Sequence, residues 1–221
     1  HVRRYRDPDC GVRGGAAKSA RASRDSGAAA ADAAIGVAIP TYVEVHRHAP
    51  GEAAEPREET VTFFENRKLT IMVPPGVACR IEKDLGRQVA VRMADPDEKI
   101  SLNMTLLADP DREFENARAR REKLVLLFHE QVGHSAEQGM QFEELESRTG
   151  AGTYCTFTDA RLQGKERRPP GEFMHLTIGV KAWPGVVVIF ELLSQDTASK
   201  EHNAIMAMIR ESVQEIPVPF K

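Results

Sequence analysis

Residues 172–216, EFMHLTIGVKAWPGVVVIFELLSQDTASKEHNAIMAMIRESVQEI, decide the fold. Met174, Leu176, Ile178 and Val180 alternate with His175, Thr177, Gly179 and Lys181, the period-2 pattern of a half-buried strand. Trp183-Pro184-Gly185 reads as a turn. Val186 to Leu193 is almost continuously apolar, as expected of a strand covered on both faces. Asp196 or Thr197 can cap a following helix and Pro217 can stop it. On that helix Ile205, Met208, Ile209, Val213 and Ile216 form the expected buried stripe.

Upstream, Thr153–Thr158 reads as a strand with Cys155 and Phe157 on one side, and Phe142–Ser147 as a weaker one. Before them lies a long helix. Asp109 suits its N-cap, Pro110 its first position, and Asp111 and Glu113 the positive end of its dipole. Phe114, Ala117, Leu124, Val125, Phe128 and Val132 recur at helical spacing, with Gly133 as the stop; Arg121, in the middle of the stripe, reads as a snorkelling guanidinium or as a paired charge at a cleft. Ile100, Leu102, Met104 and Leu106 alternate with Ser101, Asn103 and Thr105, giving one core face and one wet face. Arg80–Lys83 and Gln88–Met93 read as further strands, and Val61–Val73 as a hairpin closed by Pro74-Pro75-Gly76.

Strands, helix, strands, helix is the order of an α+β fold. The expectation is a mainly antiparallel sheet of about six to seven strands flanked by two long helices. It occupies residues 59–221 as one domain. Residues 1–58 read as an Ala/Arg/Gly-rich tail, disordered or loosely ordered, with a short extra strand at 41–47.

Two elements together carry a resemblance: Leu69-Thr-Ile-Met-Val-Pro-Pro-Gly76, and the closing hairpin and helix Met174–Val213. Their layout resembles the PsbP/Mog1/DcrB-like superfamily, over residues 59–217. The resemblance implies a sheet sandwiched by helices in a bacterial accessory or binding protein without catalysis. It also implies an extracytoplasmic location, with the cytoplasm as the alternative. The resemblance transfers no functional residue to this chain.

The net charge of -3 gives no reason to expect nucleic acid or an anionic membrane as partner. No run of 18 apolar residues is present, so no membrane-inserted helix is expected. The chain starts at His1 and therefore reads as a processed protein or a fragment. Arg3-Arg4 lacks the apolar segment of a twin-arginine signal. Cys10, Cys79 and Cys155 form no metal spacing, and a Cys79–Cys155 bridge is open on sequence alone.

His129-Glu130-Gln131-Val132-Gly133-His134 invites a metal-dependent hydrolase reading with His129, Glu130 and His134. A zincin needs its two histidines at i and i+4, and here they stand one residue too far apart. His46 and His48 share a strand face but have no third ligand in view. His202, within the last helix, reads as a core-edge histidine with a backbone partner, or as a general acid or base. No nucleophile elbow, P-loop or dinucleotide fingerprint is present, and no cofactor is expected.

The sequence therefore reads as a non-enzymatic accessory domain whose partner is another protein. Its expected contact residues are Trp183, as an exposed aromatic anchor, with Lys165, Arg167 and Arg168 in a basic loop. Trp183 can equally cover the end of the sheet. A carrier of a small apolar ligand between sheet and helix is a further alternative.

Overall fold

The hairpin at the centre forms as its pattern dictates. In the computed structural model, which describes residues 46–47, 55–63, 67–83, 88–165 and 171–215, β9 is His175–Trp183 and β10 is Val186–Ser194. They pair antiparallel from Val186↔Trp183 to Ser194↔His175. Gly185, at φ 78, supplies the left-handed residue that the two-residue turn requires.

The other strands, in chain order, are β1 (His46–Arg47), β2 (Arg57–Thr62), β3 (Lys68–Val73), β4 (Ala78–Lys83), β5 (Val89–Ala94), β6 (Ile100–Ala108), β7 (Glu143–Leu145), β8 (Ala151–Thr158) and β11 (Val213–Glu215). The helices are α1 (Ala117–Val132) and α2 (Lys200–Glu211). The main sheet has eight strands in the order β1-β4-β5-β6-β10-β9-β8-β7, every neighbouring pair antiparallel. It exceeds the expected six to seven strands through the two-residue edge strand β1. The hairpin β2–β3 does not join it. With β11 it makes a separate three-stranded sheet, β11-β3-β2.

The pleat divides the interior into two cores. On one face Val186, Val188, Phe190 and Leu192 of β10 pack with Leu102, Met104 and Leu106, the small sheet, and Ile205, Met208 and Ile209 of α2. On the other, Ile178, Val180 and Ala182 of β9 pack with Val187, Cys155, Phe157, and Leu124 and Phe128 of α1. The continuous apolar run of β10 is thus accounted for by cover on both sides. β9 is covered on both sides too. Thr177 and Lys181, expected to face water, are fully buried.

Gly179 is where this stacking is tightest. A Cβ there would stand 2.2 Å from Phe190 Cζ and 2.9 Å from Tyr154 Cβ. The Phe190 ring therefore occupies the space left by the missing side chain.

Two helix boundaries differ from expectation. Asp109 accepts from the amides of Glu113 and Phe114, at 3.0 Å each, and so caps a 3-10 turn at Glu113–Glu115. Helix α1 starts later, where the Asn116 side chain accepts from Arg118 N at 2.8 Å. Helix α2 is capped by Ser199, which accepts from His202 N; Asp196 instead closes the turn before it, on Ala198 N. It ends at Glu211, well before Pro217. Val213 is exposed and starts β11, and Ile216 lies outside the described residues.

Lys181 explains that early stop. Its ammonium donates to the carbonyls of Ile209 (2.9 Å), Arg210 (2.7 Å) and Ser212 (3.1 Å), with the Ser212 and Thr149 hydroxyls at 3.2 and 3.5 Å. The last carbonyls of a helix are its unsatisfied, electronegative end, so a buried cation satisfies them where further helix otherwise would. The chain is then free to leave as a strand. Burial pulls the Lys181 ammonium down to about 7. The five surrounding oxygens act in the opposite sense, since a neutral amine has fewer N–H donors to offer them.

The expected tail at 1–34 lies outside the described residues. Of the strand expected at 41–47, only His46–Arg47 is described, as β1. Cys79 and Cys155 are free and buried in opposite cores, so they do not bridge. Burial pushes both thiols up to about 12. No helix among the described residues is long and apolar enough to cross a membrane.

Candidate functional site

The outer surface of α1 is set by one buried arginine. Arg120 is only 3% exposed. Its guanidinium donates to Thr153 Oγ1 (2.9 Å), to the carbonyls of Phe114 (3.0 Å) and Glu115 (2.9 Å), and to Glu144 Oε2 (3.0 Å). Glu144 also takes Arg121 at 2.6 Å and Thr153 Oγ1 at 3.0 Å. A guanidinium this deep is stable only when its donors are matched, and these bonds fix the rotation of α1 on the sheet.

With Arg120, Leu124 and Phe128 turned inward, the expected stripe rotates. Arg121 does not snorkel from it but pairs with Glu144 beside the groove, and Val125 is not in the core. Val125 is 45% exposed, Leu126 68% and Leu127 39%. Three consecutive large apolar side chains thus meet solvent on one helix. An open groove of about 840 Å³ runs beside them, lined by Asn116, Ala117, Arg118, Arg121, Glu122, Val125 and Leu126. Its rim is charged: Arg118 pairs with Glu122 at 2.7 Å, one turn apart. Val125 and Leu127 lie about 100° to either side of Leu126, so a partner on the outer face meets Leu126 first; burying one large apolar side chain yields about 1.5–3 kcal/mol.

A second polar group lies where β9 and β10 run past α2. His202 Nδ1 and Ser194 Oγ are 3.0 Å apart, both buried, and His175 Nδ1 and Thr158 Oγ1 are 3.2 Å apart. Burial holds His202 below the usual histidine value; the neighbouring His175 adds to this and Asp196 opposes it. Ser194 is fully buried, and the exposed Asp196 spends its carboxylate on the Ala198 amide. His202 is thus a core-edge histidine whose partner is the Ser194 hydroxyl rather than a backbone group. A cleft of about 290 Å³ near this end of the sheet is lined by His134, Asp159, Arg161, Met174 and His175, among others.

The structure does not assemble the contact site expected from sequence. Trp183 is 4% exposed and belongs to the core, so it is not an exposed anchor; it covers the sheet end. Its ring lies against Gly150, whose φ is 98, with the Lys181 ammonium 4.6 Å from the ring centroid. Lys165 is exposed, and Arg167 and Arg168 lie outside the described residues. His129 and Glu130 are exposed on α1, and His134 follows the Gly133 cap. No group of three or more His, Cys, Asp or Glu among the described residues could hold a metal ion. His48 is outside those residues. Sequence reading missed Lys181 and Arg120. The signal for Lys181 was a cation inside an apolar strand; Arg120 stood among several arginines with nothing to set it apart.

No family model, no curated protein and no solved structure matches this chain.

Proposed function

We propose that this chain is a non-enzymatic accessory domain that binds another protein through the outer face of α1. The observation that carries this is Leu126, 68% exposed between Val125 and Leu127 on a helix whose inner face is already anchored. A large apolar side chain left exposed in a charged surround is what a docking surface supplies. An antiparallel sheet with a helix on each face supports a PsbP/Mog1/DcrB-like architecture for it.

The test is affinity capture from a lysate of the source organism, with the full chain and a Leu126→Glu variant immobilised side by side. One protein retained stoichiometrically by the first and lost from the second is the expected result. Identical retention on both, with the variant folded by circular dichroism, would remove α1 as the contact.

A further inference from the structure

We propose that a second copy of this chain occupies the outer face of α1, its helix packed antiparallel about a two-fold axis at Leu126. This rests on the reading of that face as a docking surface.

The inference comes from what surrounds Leu126. At 100° per residue, its neighbours on the helix surface are Glu122 and Lys123 on one side along the axis, and His129 and Glu130 on the other. Glu122 and His129 share one flank of Leu126, and Lys123 and Glu130 share the opposite flank. A two-fold axis perpendicular to two antiparallel helices brings like flanks together and reverses the direction along them. Leu126 then meets its own counterpart. Lys123 faces the second copy's Glu130 on one flank, and Glu122 faces its His129 on the other.

Every such contact occurs twice. A parallel two-fold would instead set Lys123 against the second copy's Glu122 and Glu130 against its His129, so both directions are complementary in charge; the antiparallel one is chosen because it also opposes the two helix dipoles. Among the described residues neither Lys123 nor Glu130 has an ion-pair partner in its own chain. The residues seven before and seven after Leu126 are Ala119 and Gly133, which also oppose each other across the axis. Small residues there let the helices approach closely.

One pair of 16-residue helices is a small interface, so the association is weak, on the order of tens of micromolar. Sedimentation velocity of the full chain from about 5 to about 200 µM reads it directly. The wild type is expected to shift from monomer to dimer, and Leu126→Glu to stay monomeric. Lys123→Glu and Glu130→Lys are each expected to weaken association roughly tenfold or more, since each makes both flank contacts repulsive. Mixed in equal amounts they are expected to associate again, because Glu at 123 then meets Lys at 130 and Glu130 meets Lys123.

A wild type monomeric throughout, a dimer indifferent to Leu126→Glu, or a mixture no better than its components would each overturn the proposal. If the wild type is monomeric while lysate capture still depends on Leu126, the docking surface stands and only self-association falls. If neither depends on Leu126, both fall.

Discussion

Replacing Lys181 by Met tests whether α2 is held by a buried cation. The side chains are of similar length, so the core keeps its volume and loses only the charge. Three charge-assisted bonds disappear, those to the Ile209, Arg210 and Ser212 carbonyls. At about 1.5–3 kcal/mol each they amount to several kcal/mol. Against this, removing the ammonium returns its desolvation cost, also several kcal/mol.

The carbonyls themselves decide the balance. Each keeps a hydroxyl donor at 2.7 Å: Ser212 Oγ for Ile209, Ser147 Oγ for Arg210 and Thr149 Oγ1 for Ser212. None is orphaned, so the large penalty of an unpartnered buried carbonyl is avoided. The two terms roughly cancel, so the global change is expected to stay within about 2 kcal/mol of the wild type, or about 4–8 °C in Tm for a chain of this size, and the effect is read locally. Urea titration at pH 6 is the assay, since below about 7 the wild-type group is charged despite its burial. Hydrogen exchange should show the change concentrated in the last turn of α2 and in β11. A variant that keeps wild-type protection in the last turn of α2 and in β11, or one that loses protection evenly, would refute the role given to Lys181.

Gly179→Ala is expected to cost about 3 kcal/mol or more in chemical melts, because Phe190 is fully buried and cannot swing away. Adding Phe190→Leu should recover part of that loss, and strict additivity of the two would be the contrary result. Arg120→Met should cost about 1–3 kcal/mol by leaving the Phe114 and Glu115 carbonyls without that donor, read in the same melts. For His202 the folded value lies below the unfolded one, so the unfolded chain binds the extra proton. Stability is therefore full above about pH 6.5 and falls as the pH drops toward the folded value. His202→Gln should flatten that slope; an unchanged slope would assign it elsewhere.

The strands were legible because an alternating or unbroken apolar pattern constrains a pleated chain at every residue. β6 and β10 show this, ending within two residues of where their patterns do. The helices were less legible, and for physical reasons. Leu124 and Val125 are adjacent, so two rotations of α1 bury one of them equally well. The choice falls to Arg120, whose partners Thr153 and Glu144 lie far along the chain. The end of α2 is likewise set at a distance, by Lys181. Trp183 beside Pro-Gly offered both an exposed and a covering role, and only the packing against Gly150 separates them. The docking face follows from the rotation of α1, and so it could be no clearer in sequence than that rotation.

Because the two cysteines of the described residues lie in different cores, each is a native reporter for one of them. Both thiols are held at about 12, so neither reacts with an alkylating reagent while its core is closed. With Cys10 replaced by Ser, the labelling rate of Cys79 follows opening beneath α2 and the small sheet, and that of Cys155 follows opening beneath α1. Two equal rates across a denaturant series would mean that the layers come apart as one unit. A faster Cys155 would mean that α1 lifts from the sheet while the other core stays shut, without any introduced probe.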